Sequence, residues 1–484
     1  MALSRPPPPP SSSVLVCVLV LVLSWCRLLR GAPPPRYLAA SLDELRRSSN
    51  RGQVHSPPLT SPAAASGSKL TIHAPVTGQP AARDISVRDR ARLRTLLQRS
   101  TSTSAASSSS FAPYASPPAM PPNPAVALAP AATIPDRSGA DLDTLEFLVV
   151  VGLGSPAQTS ALIFDTGSDL SWVQCQPCSG HCFPQQDPLF DPTKSSTYAA
   201  VPCGDPQCAA AGNLCGENAT CLYRVQYGDG SSTTGVLSRD TLTLTSSRTL
   251  SGFPFGCGQT NLGDFGRVDG LLGLGRGQLS LPSQAAASFG AVFSYCLPSF
   301  NTTPGYLTIG ATPVDSSKVQ YTAMAQRPQF PSFYFVELVS IDIGGFVVPV
   351  PPAVFTSTGT LLDSGTVLTY LPPPSYALLR DRFRLAMRQY RPAPPDDILD
   401  ACYDFTGVNP IVIPAVSFRF SDGAVFDLGF FGVMIFVEES IGCLAFAARD
   451  PGLPLSIIGN TQQRSAEVIY DVAAEKIGFV PGSC

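Results

Sequence analysis

Histidine is almost missing from this chain. There are three in 484 residues, His55, His73 and His181, and only His181 lies beyond residue 134, wedged between Cys178 and Cys182. A Ser-His-Asp or Cys-His enzyme would have to be built on that one imidazole, so those chemistries are set aside. Charge is scarce as well: 14% of residues are charged against 44% hydrophobic, which excludes a disordered, solvating chain. Long amphipathic helical patterns are few. No phosphate cradle is present, because Gly270–Gly277 (GLLGLGRG) has glycines but no following helix or ribose-binding acid. Past the N-terminus no apolar run approaches the roughly 20 residues of a membrane span, and Phe430–Val437 (FFGVMIFV) is far too short. The end, Pro481-Gly482-Ser483-Cys484, lacks the apolar tail of a lipid anchor.

What is plentiful is punctuation. Forty glycines and 49 prolines, with abundant Ser and Thr, separate short apolar or alternating runs: Phe147–Leu153, Ala161–Phe164, Leu222–Tyr227, Thr241–Thr245, Tyr306–Ile309, Tyr334–Ile343, Val412–Phe420 and Val433–Val437. The best helix of the C-terminal half is Pro374–Gln389, with Tyr376, Leu379, Phe383 and Met387 near one face. Many short strands with few helices, in a chain too long for one small core, predict an all-β architecture of two sandwich-like or barrel-like lobes.

The N-terminus has an export pattern. A polar stretch, Met1–Ser13, precedes the apolar run Val14–Trp25, and Gly31 and Ala32 offer a cleavage region. A retained signal anchor and a plastid transit peptide are the alternatives, the second because Arg, Ser and Ala are plentiful downstream. Removal of Cys17 and Cys26 with the signal leaves twelve cysteines, an even number that suggests six disulfides in an exported protein. The spacing Cys175-x-x-Cys178-x-x-His181-Cys182 is also that of a metal site, but paired cysteines are the better reading, and no metal is expected. Sequons at Asn218 and Asn301 suit a secretory route.

Composition shifts near residue 135. Residues 32–133 are rich in Pro, Ser and Ala, and hold one helical pattern, Ile85–Arg99, with Val87, Ala91, Leu93 and Leu96–Leu97 approximating an apolar face. Residues 1–134 carry 14 basic and 4 acidic side chains, and the remainder 18 and 31. A basic leader before an acidic domain predicts a propeptide held partly by charge, whose grip weakens as carboxylates protonate.

One internal echo decides the chemistry. Phe164-Asp165-Thr166-Gly167-Ser168 and Leu362-Asp363-Ser364-Gly365-Thr366 each follow an apolar run, about 200 residues apart. Either alone would be an ordinary turn. Together they are a duplicated carboxylate turn. Two carboxyls about 3 Å apart cannot both ionise easily, so one stays protonated while the other acts as a base. Such a pair activates a water for amide hydrolysis and protonates the leaving amine. Glycine permits the close backbone approach, and the small hydroxyls can tie the two loops together.

On these residues the chain resembles the pepsin-like aspartic proteases, and more narrowly the plant nepenthesin-type group with its chloroplast-nucleoid-protein-like members. The resemblance spans roughly residues 135–484. It implies a bilobal fold with the active-site cleft between two β lobes, Asp165 and Asp363 as catalytic residues, and Tyr227-Gly228-Asp229-Gly230-Ser231 as a flap over the substrate with Trp172 behind Tyr227. It also implies that Thr166 and Ser364 grip across the lobes, that Ser168 and Thr366 bond the catalytic carboxyls, and that Leu271-Leu272-Gly273 and Ile457-Ile458-Gly459 pack beneath the two loops. Leu145-Glu146-Phe147 departs from the Gly-polar-aromatic pattern of many relatives. The disulfides implied are Cys175–Cys178, Cys182–Cys257, Cys203–Cys221, Cys208–Cys215, Cys296–Cys484 and Cys402–Cys443.

The organisation expected is a signal peptide (1–31), a propeptide and linker (32–134), an N-terminal lobe with a Cys-rich insertion (135–322) and a C-terminal lobe (323–484). The expected protein is a monomeric, cofactor-free endopeptidase acting on proteins or peptides, secreted to the apoplast, with the vacuole or chloroplast as alternatives. A pepsin-fold binding or inhibitor protein is the rival function; xylanase-inhibitor-like relatives have lost catalytic residues, whereas Asp165 and Asp363 are intact. Nucleic-acid binding is disfavoured by the acidic main domain.

Overall fold

The computed structural model describes residues 36–40, 85–90, 92–93, 130–142, 144, 146–227, 230–299, 305–311, 315–348, 359–450 and 455–483. The signal region, the 94–99 part of the expected helix, Gly228, Asp229, Asn301 and Cys484 lie outside them.

Strands dominate. Alternation of buried and half-buried residues along Ser232–Thr245 makes one face of a long ribbon, and this strand pairs antiparallel with both Cys221–Gln226 and Arg248–Leu262. The largest sheet contains 15 described strands. Its middle carries Ala132–Ser138 between Gly305–Ile309 and Phe147–Leu153, and the two C-terminal strands Ala466–Asp471 and Lys476–Pro481 join it beside Val292–Cys296. The halves of the chain are therefore tied together by continuous backbone hydrogen bonds.

A second motif occurs twice. In the first half, Gly270–Gly273 lies parallel to Gln158–Asp165 and antiparallel to Trp172–Gln174, which in turn runs parallel to Arg248–Leu262. In the second, Ser456–Ile458 lies parallel to Thr360–Leu362 and antiparallel to Thr369–Leu371, which runs parallel to Phe446–Ala448. The apolar runs are buried on both faces, as parallel strands require. Each motif ends in its carboxylate turn, so both turns are held by rigid backbone.

Some expected elements are divided. Tyr334–Ile343 forms Phe335–Val336 and Leu338–Ile343. Val412–Phe420 breaks at Ala415 into Ile411–Pro414 and Val416–Phe420, where the Ala415 N–H is diverted to the carbonyl of Arg36. Val433–Val437 narrows to Met434–Phe436 after a helical turn, Phe430–Val433. The C-terminal helix is Pro373–Ala386, and Tyr376, Leu379, Phe383 and Met387 are buried.

The N-terminal segment contributes two described pieces. Tyr37–Ala40 pairs antiparallel with Ile411–Pro414, and Arg36 forms an ion pair with Asp427 at 3.0 Å. Residues 85–90 and 92–93 are helical. Their inward face follows the expected apolar stripe only in part: Leu93 is buried as expected, but Val87 is 59% exposed, and Ile85, Ser86 and Asp89 are buried. The inward face is mixed: Ile85 and Leu93 pack in an apolar cluster with Phe330, Phe333 and Ile457, while Asp89 and Arg92 turn inward to polar partners.

The disulfides require correction. Cys402–Cys443 is present, and Cys296 is disulfide-bonded, but the Cys-rich insertion pairs otherwise than expected. The bonds are Cys175–Cys257, Cys178–Cys182, Cys203–Cys215 and Cys208–Cys221. Thus Cys175–Cys178, Cys182–Cys257, Cys203–Cys221 and Cys208–Cys215 are not formed. The cause is burial and register. The Cys175 N–H bonds the carbonyl of Gly258, which sets Cys175 beside Cys257. Cys208 and Cys221 are buried and meet under the short helix Pro206–Ala210, leaving Cys215 to Cys203 nearer the surface.

Candidate functional site

Asp165 ends the strand Gln158–Asp165, and Asp363 follows Thr360–Leu362. Both are at most 1% exposed. Their loops clasp each other. The Thr166 N–H donates to Ser364 Oγ at 3.1 Å, and the Ser364 N–H donates to Thr166 Oγ1 at 3.0 Å. Ser364 Oγ continues to the carbonyl of Phe164 at 3.2 Å. This reciprocal pair fixes the two carboxyls against one another.

Backbone amides complete each carboxyl. The Gly167 N–H donates to Asp165 Oδ1 at 2.9 Å and the Gly365 N–H to Asp363 Oδ1 at 3.2 Å. Thr366 Oγ1 donates to Asp363 Oδ2 at 2.5 Å. Ser168 holds the equivalent place beside Asp165: its buried hydroxyl helps to lower that carboxyl, in a looser geometry than the Thr366 bond. The glycines are needed for space. A Cβ at Gly167 would lie 3.0 Å from Asp363 Oδ1, and one at Gly365 would lie 2.5 Å from Arg92 Cζ.

Arg92 sits on both carboxyls. Its Nε donates to Asp363 Oδ2 and its Nη2 to Asp363 Oδ1, each at 2.7 Å. The same Nη2 bonds Asp165 Oδ1, and Nη1 lies 3.4 Å from Asp165 Oδ2. Burial pushes the Asp165 carboxyl up, but the Arg92 charge and its hydrogen bonds outweigh burial and hold it below the usual carboxylate range. The helix carrying Arg92 is anchored on both sides. Asp89 Oδ1 accepts the Val367 N–H at 2.8 Å, and Asp89 Oδ2 accepts the Leu368 N–H at 2.9 Å and the Tyr370 hydroxyl at 3.1 Å. Ser86 bonds Asp397, and Arg88 pairs with Asp264 at 2.9 Å.

Tyr227 follows the strand Cys221–Gln226, and its hydroxyl accepts from Trp172 Nε1 at 2.8 Å. Phe265 packs edge-on against both rings. Leu271 and Leu272 pair with Ile163 and Phe164, and Ile457 and Ile458 with Leu361 and Leu362, each beneath its carboxylate turn. Asn218 is exposed and left-handed at φ 57°, a conformation that asparagine tolerates. Cys175, Cys178 and Cys182 are all oxidised, so the thiolates of the metal-like spacing are spent.

Against this geometry, two family profiles match the chain: one described as Xylanase inhibitor N-terminal over residues 147–311, and one described as Xylanase inhibitor C-terminal over residues 333–481. An aspartyl protease family protein of Arabidopsis thaliana is 43% identical over 356 residues, covering 72% of this chain and 75% of that protein. Aspartic proteinase nepenthesin-2 of Nepenthes gracilis is 35% identical over 350 residues, covering 70% and 78%. This chain belongs to the plant pepsin-like aspartic endopeptidases. Among solved structures, edgp matches with TM-score 0.61 at 22% identity, covering 72% of this chain and 94% of that one. Basic 7S globulin from soybean matches with TM-score 0.59 at 21% identity, covering 72% and 96%. These two similarities establish the fold of this aspartic endopeptidase and nothing finer.

Several residues at the site of this endopeptidase escaped sequence reasoning. Arg92 was one arginine among many in a basic leader. Asp89 is one of only four acids before residue 135, which was the available signal. Gln463, whose Nε2 donates to the carbonyl of Asp363 at 3.2 Å, carries no local mark in the sequence.

Proposed function

We propose that this chain is a secreted aspartic endopeptidase made as a zymogen, in which Asp165 and Asp363 share a proton and activate water, and Arg92 silences them until acidification. The observation that carries the reading is convergence: one guanidinium reaches both carboxyls at once. Two buried carboxyls aimed at one point can hold a water there once the arginine leaves. Hydrolysis by such a pair needs no metal ligand or nucleophilic side chain.

The ionised carboxyl takes a proton from water as the water oxygen attacks the peptide carbonyl carbon. The protonated carboxyl gives its proton to the carbonyl oxygen. The tetrahedral diol then collapses: the C–N bond breaks, the nitrogen takes the proton that the first carboxyl drew from water and leaves as an amine, and one diol hydroxyl returns its proton to the second carboxylate as the carboxylic acid forms. The Gly167 amide stabilises the charged form of the Asp165 carboxyl, and the Gly365 amide orients Asp363. Tyr227 closes over the substrate and excludes water.

Latency follows from the charges. Arg92 holds the Asp165 pKa down, so its docking contribution is present above the ordinary carboxyl range and is lost as pH falls through the lowered value. On this reading residues 1–31 are the signal, 32–134 the propeptide and linker, 135–322 the N-terminal lobe and 323–484 the C-terminal lobe. The disulfides suit an oxidising compartment.

The test is hydrolysis of a protein substrate by the acid-processed protein, with and without a statine-type transition-state mimic. Asp165→Asn and Asp363→Asn should each lower the rate by about 10²–10⁴-fold. Robust hydrolysis by either variant would sink the mechanism. Failure of the processed protein to hydrolyse any protein across roughly pH 2–6 would favour a binding protein on this fold, the role that the family profiles' descriptions name.

A further inference from the structure

Trp172 and Tyr370 hold equivalent places in the two repeated motifs. Trp172 lies opposite Leu271, and Tyr370 opposite Ile457, each on the strand antiparallel to the one beneath its carboxylate turn. Their polar atoms are used differently. Trp172 turns its N–H to the flap tyrosine, Tyr227. Tyr370 turns its hydroxyl to Asp89 of the N-terminal segment at 3.1 Å.

Asp89 is 1% exposed, and three donors converge on it: the Val367 N–H at 2.8 Å, the Leu368 N–H at 2.9 Å and the Tyr370 hydroxyl. All three belong to the segment just past Asp363, and the carboxyl belongs to a different part of the chain. Among the described residues the two amides bond no other acceptor. Around them are apolar side chains, among them Leu361, Leu399, Leu455 and Ile457. Departure of the helix would take away the acceptor of both N–H groups and leave the place open to another. Two amides and a hydroxyl in apolar surroundings favour an oxygen acceptor over an ammonium group. Asp89 and Arg92 are three residues apart on one helix, on one face and separated by about 4.5 Å along its axis. The donor cluster is therefore within the cleft, about one turn from the dyad.

We infer that the Val367 N–H, the Leu368 N–H and the Tyr370 O–H form a carboxyl-binding subsite in the processed enzyme, selecting substrates with an aspartate side chain a few residues from the scissile bond. The inference rests on the proposed release of the N-terminal segment. Asp89 is the occupant that shows the site's chemistry. The carboxyl of a substrate's chain end has the same chemistry and is the second source.

The test reads binding, without turnover. The processed protein is titrated with fluorescent peptides carrying a statine-type residue for the dyad, with Asp, Asn or Ala placed in turn at each nearby position. A parallel set is truncated so that the chain-terminal carboxylate falls at those positions. At one position the carboxyl should bind about tenfold tighter than Ala, the worth of a charge-assisted bond. Tighter binding of the Asp peptide assigns the side chain as the source, and tighter binding of the truncated peptide the chain end. Tyr370→Phe should cut the preference severalfold at that same position. A flat scan would overturn the subsite, as would a preference that Tyr370→Phe leaves unchanged. Loss of hydrolysis would count against the proposed enzyme and not against this site, because binding is measured directly.

Discussion

Trp172 Nε1 donates to Tyr227 Oη across 2.8 Å, joining the strand behind the first carboxylate turn to the end of the strand Cys221–Gln226. Phe265 wedges against both rings, with centroids at 5.1 Å from Trp172 and 5.6 Å from Tyr227. A polar and an aromatic contact are thus among those that hold Tyr227. Trp172→Phe keeps the aromatic body and removes the donor. We expect kcat/KM for peptide hydrolysis to fall by up to about tenfold, the cost of a lost half-buried hydrogen bond. Steady-state kinetics on one peptide would check it, and an unchanged rate would show that the bond does not position the flap.

The clasp between Thr166 and Ser364 is buried on both sides. Thr166→Val keeps the shape but leaves the Ser364 N–H without its acceptor. A buried unsatisfied donor costs about 1–3 kcal/mol. Denaturant unfolding should show a lowered midpoint with an unchanged slope, since the surface exposed on unfolding stays the same. A stability equal to that of the unsubstituted protein would mean that the loops are held by other contacts.

The duplicated turns made much of the site legible, because a carboxylate after an apolar run and before a small hydroxyl and glycine constrains the backbone on both sides. Asp165, Asp363, Thr166 and Ser364 meet as that spelling implied. The pairing of Trp172 with Tyr227 was legible through the family resemblance, since 55 residues separate them. Pairing of cysteines was not legible. Cys203, Cys208, Cys215 and Cys221 are close in sequence, and only the burial of Cys208 and Cys221 selects partners. The inward face of the 85–93 helix was legible only in part. Hydrophobic periodicity predicts burial against an apolar core, and Ile85 and Leu93 do pack in one, but Asp89 and Arg92 turn inward as well, onto two backbone amides and two carboxyls.

Arg92 should account for most of the latency. In the full chain, Arg92→Ala removes the cation shared by Asp165 and Asp363, so the uncleaved precursor should hydrolyse peptide at a pH where the unsubstituted precursor is silent. Arg88→Ala is the matched control. It breaks the pair with Asp264, whose side chain is 70% exposed, and such pairs are worth less than about 1 kcal/mol. Equal latency in both variants would show that the segment blocks the cleft by bulk and not by charge.

Asp89 should tilt the docking in the opposite direction with pH. Burial pushes its carboxyl up to about 7, against an ordinary value of 3.8, although the Val367 and Leu368 amides pull it down. A carboxyl whose pKa is raised on docking favours the docked state fully below 3.8, and the advantage is lost as pH rises to about 7. The Asp165 contribution has the reverse sign, being present above the ordinary carboxyl range and lost in stronger acid. A synthetic peptide of residues 84–99 should therefore bind the processed protein most tightly in weak acid. Between about pH 4 and 7 its affinity should weaken by up to about tenfold per pH unit, the limit for one proton. Asp89→Asn removes the titrating group, so the same peptide with that change should lose the slope in this window while keeping the loss in stronger acid. Fluorescence anisotropy across the two pH ranges separates the carboxyls. An unchanged slope in the Asn peptide would mean that a group other than Asp89 takes up the proton.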